Sequence, residues 1–430
     1  MNFINLITKK KNKGVLTKDE IDYIIDSIGT APDYQYSALL MAICLNGMNK
    51  EETVNLTYSM LHSGSIMDLS GINGLKVDKH STGGVADTTT MILAPLTASL
   101  GLPVVKMSGR GLGFTGGTVD KFESIPGFKL DMPMEQAVKQ VNDISLVIMS
   151  QTKNLCPADG YLYKLRDVTG TVESIPLIAS SIMSKKLASG TDGIVLDVKC
   201  GNGAFMKNKE DAISLAKTMI EIGESLGKKV SAIISDMSQP LGNNIGNTIE
   251  VIEALEVLKG NLKGDLYDVS LTLGSDMLVI GGIAEDTDTA RKMLEENIAN
   301  HKGLEKFREL ISYQGGNPDV IDDYSLLKEP LYKKEIFLDS GNVKHLNAEL
   351  LGRIACALGA GRTTHDMPVD SSAGIILNYR VGDSYDSSLP FAVLQTDKED
   401  VLMEAERIFK NAVTLTEENV EKTNPIIMHI

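Results

Sequence analysis

The chain has 430 residues and a formal net charge of −15 at pH 7. It is too long for a single hydrophobic core and too acidic to offer an electrostatic footprint to nucleic acid or an anionic membrane, so two or three domains are expected and any bound anion must sit in a local pocket. With 43% hydrophobic and 23% charged residues it has the profile of a soluble globular protein, and its 5% aromatics without tryptophan argue against recognition by stacking.

In chain order, "MNFINLITKKK" puts its lysines after a short apolar patch, the wrong order for a signal peptide. Residues 1–65 read as helices. Thr17 with Glu20 forms a capping box, and Ile21, Ile24, Ile25 and Ile28 follow at helical spacing. Asp33 is placed to cap the next helix, and Asn49 with Glu52 to start a third. After Gly74, short β-branched runs at Pro103–Gly109, Ser145–Ser150, Asp192–Gly201 and Lys229–Ser235 alternate with helical stretches such as "DTTTMILAPLTASLG" and "KEDAISLAKTMIEIGESLG". That alternation implies a parallel sheet covered on both faces. Ser174 to Ala188 reads as a helix, with Ser174 at its cap and Pro176 in its first turn.

From about Lys334 strands with Gly, Asp and Ser turns bracket a helix, "NAELLGRIACALGAG", and precede another, "KEDVLMEAERIFKNAV". The expected fold class is α/β with a small all-α domain, a large mixed or parallel α/β sheet domain and a C-terminal α+β module. The corresponding segments are 1–65 with 161–192, 73–160 with 193–333, and 334–430. Cys44, Cys156, Cys200 and Cys356 form no CxxC pair, and no apolar run approaches the ~20 residues that span a bilayer. Buried free thiols in a reducing cytoplasm are expected.

Two stretches have the composition of anion cradles. In "VDKHSTGGVADTTT" (Val77–Thr90) a strand ending near Lys79 feeds the loop His80–Val85 and then a helix from about Asp87 to Leu100. A Gly-Gly loop lets backbone amides approach an anion, the helix N-terminus adds partial positive charge, and Lys79 supplies a full one. "KMSGRGLGFTGGTVDKFESIPG" (Lys106–Gly127) repeats the arrangement after another strand. Two such loops at the carboxyl ends of neighbouring strands should converge on one crevice. In a third stretch, Tyr161–Gly190, Ser181 and Lys185 are four apart and share a helix face, with Arg166 upstream. These groups suit a site that binds a polar ring and stabilises negative charge on it.

"SGRGLGFTGGTVDKFE" resembles the signature of the thymidine and pyrimidine-nucleoside phosphorylases, and "VDKHSTGGVADTTT", "RDVTGTVESIPLIASSIMSKK" and "VLDVKCGNGAFM" match the same family in the same order. The resemblance spans essentially the whole chain. It implies reversible phosphorolysis of pyrimidine nucleosides to free base and α-D-(deoxy)ribose 1-phosphate, a homodimer, no organic cofactor, and a cleft that closes between the helical and sheet domains. By motif position Lys79, His80, Ser81, Thr90, Lys106, Ser108 and Thr118 surround phosphate, the co-substrate. Tyr163, Arg166, Ser181 and Lys185, with His80, hold the pyrimidine, and His80, Arg166 and Lys185 carry the catalysis. A structural potassium ion is implied on the carbonyls of Ala86, Thr88, Leu241 and Asn244 and the Glu253 carboxylate.

Lys106 stands where members restricted to deoxyribosides tend to have an apolar residue, so it favours an enzyme that accepts uridine, deoxyuridine and thymidine. The alternatives are a strict thymidine phosphorylase, an anthranilate-type phosphoribosyltransferase and a non-catalytic nucleoside-binding protein. Two positions depart from the family: Phe114 replaces a frequent His, and Asn244 a small residue. Hinges are expected near Ser65–Gly74, Asn154–Gly160 and Ser189–Gly193. His62, His301, His345, His365 and His429 have no partner pattern and are read as surface or structural.

Overall fold

The computed structural model describes residues 1–111, 113–114, 116–152, 154–364 and 367–430. The expectation for His365 lies outside the described residues, as do positions 112 and 115 of the second glycine loop.

The chain begins with four helices, α1 (Phe3–Lys11), α2 (Lys18–Asp26), α3 (Asp33–Asn46) and α4 (Lys50–Leu61). The expected capping box of Thr17 with Glu20 forms, and Asn49 with Glu52, expected to start a helix, forms a second. Asp33 is not the cap of α3. Pro32 occupies that position with φ −74°, so its ring already sets the entry of the chain, and Asp33 Oδ1 instead accepts the Tyr161 hydroxyl at 2.7 Å. The buried Lys10 ammonium and the Leu16 amide both donate to Glu52 Oε1, at 2.7 and 2.8 Å, tying α1 to α4.

The sheet domain follows: β1 (Val77–Ser81), α5 (Thr89–Ala98), β2 (Val104–Ser108), α6 (Thr118–Glu123), α7 (Met134–Ile144) and β3 (Leu146–Ser150). Then α8 (Pro157–Thr169) and α9 (Ile175–Ala188) return to the helical layer before β4 (Gly193–Cys200), α10 (Lys209–Ser225), β5 (Lys229–Asp236), β6 (Asn244–Gly246) and the helices α11 (Thr248–Leu258), α12 (Asp265–Ile280), α13 (Thr287–Ala299) and α14 (Lys302–Tyr313). Ser174 precedes α9 as expected, but its side chain makes no cap hydrogen bond.

β4 is buried along its whole length between parallel partners β1 and β5. Its side chains divide by the period of two. Ile194, Leu196 and Val198 pack with Leu215, Ala216 and Met219 of α10, whereas Val195 joins the cluster containing α5 and α12. Each such buried aliphatic side chain contributes about 1.5–3 kcal/mol. α9 bridges two cores: Leu177 packs with α1–α4, while Ile178, Met183 and Leu187 pack toward the sheet. β2 and β3 form a separate parallel pair, so β1 and β2 are not ladder neighbours. The ladder partner of β1 is β4, and β2 is held beside β1 by a side chain, as described below.

The C-terminal part contains β7 (Tyr332–Ile336), β8 (Gly341–Leu346), α15 (Ala348–Leu358), β9 (Gly374–Leu377), β10 (Ser384–Tyr385), β11 (Ala392–Thr396), α16 (Leu402–Ala412), β12 (Val413–Thr416) and β13 (Ile426–His429). It builds one sheet ordered β10-β8-β12 and another ordered β6-β9-β11-β7. Two pairings cross the expected boundary at 334. β6 pairs with β9, and β13 adds antiparallel to β5 at the edge of the main sheet, which makes that sheet mixed. Among the described residues no helix is long and apolar enough to cross a membrane, and all four cysteines are free.

Candidate functional site

Lys79 lies within β1 rather than at its end, and the strand continues through His80 to Ser81. The Lys79 ammonium is buried and donates to Thr89 Oγ1 at 2.6 Å, with Asp197 Oδ2 at 3.6 Å and Asp87 Oδ2 at 3.8 Å. A second buried ammonium, Lys199, stands 2.7 Å from Asp197 Oδ2 but off the hydrogen-bonding direction, and 3.8 Å from Asp87. Burial works against the Asp87 charge, yet Lys199, Lys79 and the hydroxyls of Ser81 and Thr89 hold its carboxyl well below the usual range. Thr90 is buried at the second position of α5, Ser108 ends β2, and Thr118 begins α6.

Lys106 joins the strands. Its ammonium donates to the Lys79 carbonyl at 2.5 Å and lies 3.2 Å from Asp78 Oδ1. The other Asp78 oxygen accepts from Lys186 of α9 at 2.8 Å, and Lys186 also donates to the Met107 carbonyl at 3.3 Å. One buried carboxylate therefore ties the helix that carries Lys185 to β1 and, through Lys106, to β2. Burial pushes the Lys106 ammonium down to about 7, with Lys186 and Lys79 adding to the shift and Asp78 opposing it.

On the helical side, Lys185 Nζ donates to Asp159 Oδ2 at 2.7 Å and lies 3.3 Å from Ser181 Oγ, one helical turn back. Arg166 is buried, and its guanidinium donates to the carbonyls of Thr171 (3.3 Å), Leu177 (3.1 Å) and Val172 (2.8 Å). A guanidinium has five N–H groups, so these bonds fix its plane and leave two donors. Arg166 and Lys185 both approach the Tyr163 ring, at 5.6 and 6.0 Å from its centroid. His80 lies in the field of lysines from both the sheet and the helical side. Burial first, then the charges of Lys186, Lys106, Lys185 and Lys79, push its imidazole well below its ordinary pKa, so it is neutral at pH 7.

Of the residues expected around a cation, Ala86 and Glu253 both contact the loop before β6. The Gly242 amide donates to the Ala86 carbonyl at 3.1 Å, and Ala86 holds a left-handed φ of 55°. Glu253 is buried and accepts the amides of Asn243 and Asn244 at 2.6 and 3.0 Å. Burial pushes its carboxyl up to about 7; those amides pull the other way, while Glu250 adds to the rise. A buried, under-compensated carboxylate suits a hard alkali cation. The Asn244 side chain turns away to the Ile249 carbonyl at 3.0 Å, and Asn244 pairs regularly with Ile376. Phe114 lies under the Arg353 guanidinium, 5.5 Å from its ring centroid.

Several neighbours were not singled out by pattern: Asp78, Asp87, Thr89, Asp159, Lys186, Asp197 and Lys199. "DGIVLDVKCG" carried a signal, because Asp197 and Lys199 alternate within a strand otherwise apolar, and charges on a buried face must pair.

Three family models match: the helical bundle domain of a glycosyl transferase family over residues 4–64, the a/b domain of that family over 73–304, and the pyrimidine nucleoside phosphorylase C-terminal domain over 342–416. The chain is 49% identical to the pyrimidine-nucleoside phosphorylase of Bacillus subtilis (strain 168) and to that of Geobacillus stearothermophilus, in each case covering 96% of both chains. It is 48% identical to that of Staphylococcus haemolyticus (strain JCSC1435), over 100% of this chain and 99% of the other. The anthranilate phosphoribosyltransferase of Thermus thermophilus shares the fold with a TM-score of 0.59 at 17% identity, covering 72% of this chain and 99% of that one. At that identity the likeness is one of fold alone.

Proposed function

This chain belongs to the pyrimidine-nucleoside phosphorylase family, and from that premise we propose how its residues divide the reaction. The enzyme is a pentosyltransferase that catalyses the reversible phosphorolysis of pyrimidine nucleosides. In the forward direction the C1′–N1 bond breaks with its electron pair going to the base, and a phosphate oxygen bonds C1′.

Phosphate is already an anion, so it needs holding in line beneath C1′ rather than deprotonation. We assign that task to Lys79, Ser81, Thr90, Ser108 and Thr118, with Lys106 at the edge. The departing base needs its negative charge met. Arg166 has two unspent donors for a base carbonyl, Lys185 and Ser181 present a second group, and Tyr163 lies against both cations. His80, being neutral, offers the base a hydrogen bond rather than a mobile proton. Donors fixed in advance of the charge that develops each contribute on the order of 3 kcal/mol.

The observation that carries this division is the Asp78 bridge, which brings the base-binding helix α9 against the strands bearing Lys79 and Lys106. Closure of the two halves about the hinges named above would exclude water, the competing nucleophile. A structural potassium ion would be held by the carbonyls of Ala86, Thr88, Leu241 and Asn244 and by Glu253. It would neutralise that carboxylate and pin the start of α5 to the loop before β6. A homodimer through the helical layer is supported by Tyr34, Met41 and Leu45, which recur on one face of α3 and are exposed. The four free cysteines support a cytoplasmic location.

Base release from uridine, deoxyuridine and thymidine, measured with and without inorganic phosphate, tests the assignment. All three should be cleaved, and only with phosphate. Cleavage of thymidine alone would overturn the breadth assigned to Lys106, and release without phosphate would overturn the mechanism.

A further inference from the structure

The glycine loop after β2 closes on itself through one carboxylate. Asp120, in the first turn of α6, accepts the Gly111 amide on Oδ2 at 2.7 Å. Gly117 is pressed so close that a Cβ there would lie 2.0 Å from the Gly111 nitrogen and 2.5 Å from Asp120 Oδ2. The loop does not hold this carboxylate alone. Arg362, which follows α15, donates Nη2 to Asp120 Oδ1 at 2.7 Å and Nη1 to Oδ2 at 3.1 Å, a two-pronged pair. Nη1 also donates to the Gly111 carbonyl at 3.0 Å, and the Arg362 carbonyl accepts the Gly113 amide at 3.0 Å. Both side chains are nearly buried, at 7% and 6% exposed. Arg110, which also reaches Asp120, is half exposed and pairs mainly with Glu123.

We propose that Arg362 is a positioning residue for phosphate: it fixes Asp120, and through it the turn that presents Ser108 and Thr118. The proposal rests on the phosphate role assigned to that loop. Arg362 does not touch substrate. It sets the separation of two hydroxyls at the two ends of a glycine-rich segment that has few side chains of its own to hold a shape. A lysine cannot reproduce the fork, so its charge can meet Asp120 but not Asp120 and Gly111 together. The C-terminal part of the chain thereby enters the chemistry of a site it does not line.

Steady-state kinetics, calorimetric phosphate binding and thermal melting of Arg362→Gln, Arg362→Lys, Asp120→Asn, Lys207→Ala and Ser108→Ala test this. Arg362→Gln and Asp120→Asn should raise the phosphate KM on the order of tenfold while the nucleoside KM stays within about twofold. Arg362→Lys should recover part of the loss. Lys207→Ala removes a different contact to the same module, the exposed pair with Glu349, and should leave both KM values unchanged. A merely structural role would lower the melting temperature without separating the two KM values. A wild-type phosphate KM in Arg362→Gln, or a parallel rise in both, overturns the proposal. Should Arg362→Gln not fold, a wild-type phosphate KM in Arg362→Lys overturns it equally. Unchanged phosphate binding in Ser108→Ala would instead overturn the phosphate role of the loop itself, so the two failures are distinct.

Discussion

The two halves of the candidate site differ in how they hold their most buried cations. On the sheet side Lys79 and Lys199 are buried against Asp87 and Asp197, so their charge is compensated before any ligand arrives. On the helical side Arg166 is fastened by neutral carbonyls, and Lys185, still 27% exposed, has Asp159. The contrast fits the proposed division of phosphate and base between them. A buried ammonium without counter-charge would lose its proton, so a standing phosphate site needs carboxylates nearby. On that proposal the helical half meets a base that is neutral until the bond breaks. Its donors therefore need fixed direction more than fixed charge balance.

The largest expected effect comes from the sheet side. Lys79→Met should lower kcat/KM about 10²–10³-fold, read from phosphate-dependent initial rates. A loss below tenfold would place phosphate elsewhere. Asp197→Asn should cost about 3 kcal/mol of stability in denaturant unfolding, because it leaves Lys199 buried with less counter-charge; a change under 1 kcal/mol would show that the cluster compensates itself. Asp159→Asn should act on the other half, raising the nucleoside KM on the order of tenfold with little change in the phosphate KM. Equal effects on both would erase the distinction between the halves.

The smallest effect is the most specific. Lys106 has its ammonium near 7, so it is mostly charged at pH 6 and mostly neutral at pH 8. Rising pH removes the charge, and the advantage of wild type over Lys106→Met with uridine should shrink by up to about tenfold between those values. Comparing the two proteins cancels the titration of phosphate itself. A ratio that does not vary with pH would separate the Lys106 charge from uridine turnover.

Much of the candidate site was legible because its donors lie in short segments. Lys79, His80 and Ser81 are consecutive, and Ser181 and Lys185 are one turn apart. The counter-charges were not legible, since an acidic residue in a sequence gives no sign of which lysine it will meet. Asp159 reaches Lys185 across 26 residues and Asp78 reaches Lys186 across 108. The adjacency of β1 and β2 was inferred from their similar loops, yet it is made by the Lys106 side chain rather than by a backbone ladder.

The sequence by itself determined the capped helices, the alternation of strand and helix, and the order of lysine, hydroxyl and glycine in the two loops. These depend on periodicity, capping and backbone freedom, which act over a few residues. Only the tertiary structure decided that β13 closes the edge of the main sheet and that Arg362 grips Asp120 from 242 residues away. Such partners are selected by packing of whole layers, because a buried charge must find its counter-charge wherever the fold brings one within reach.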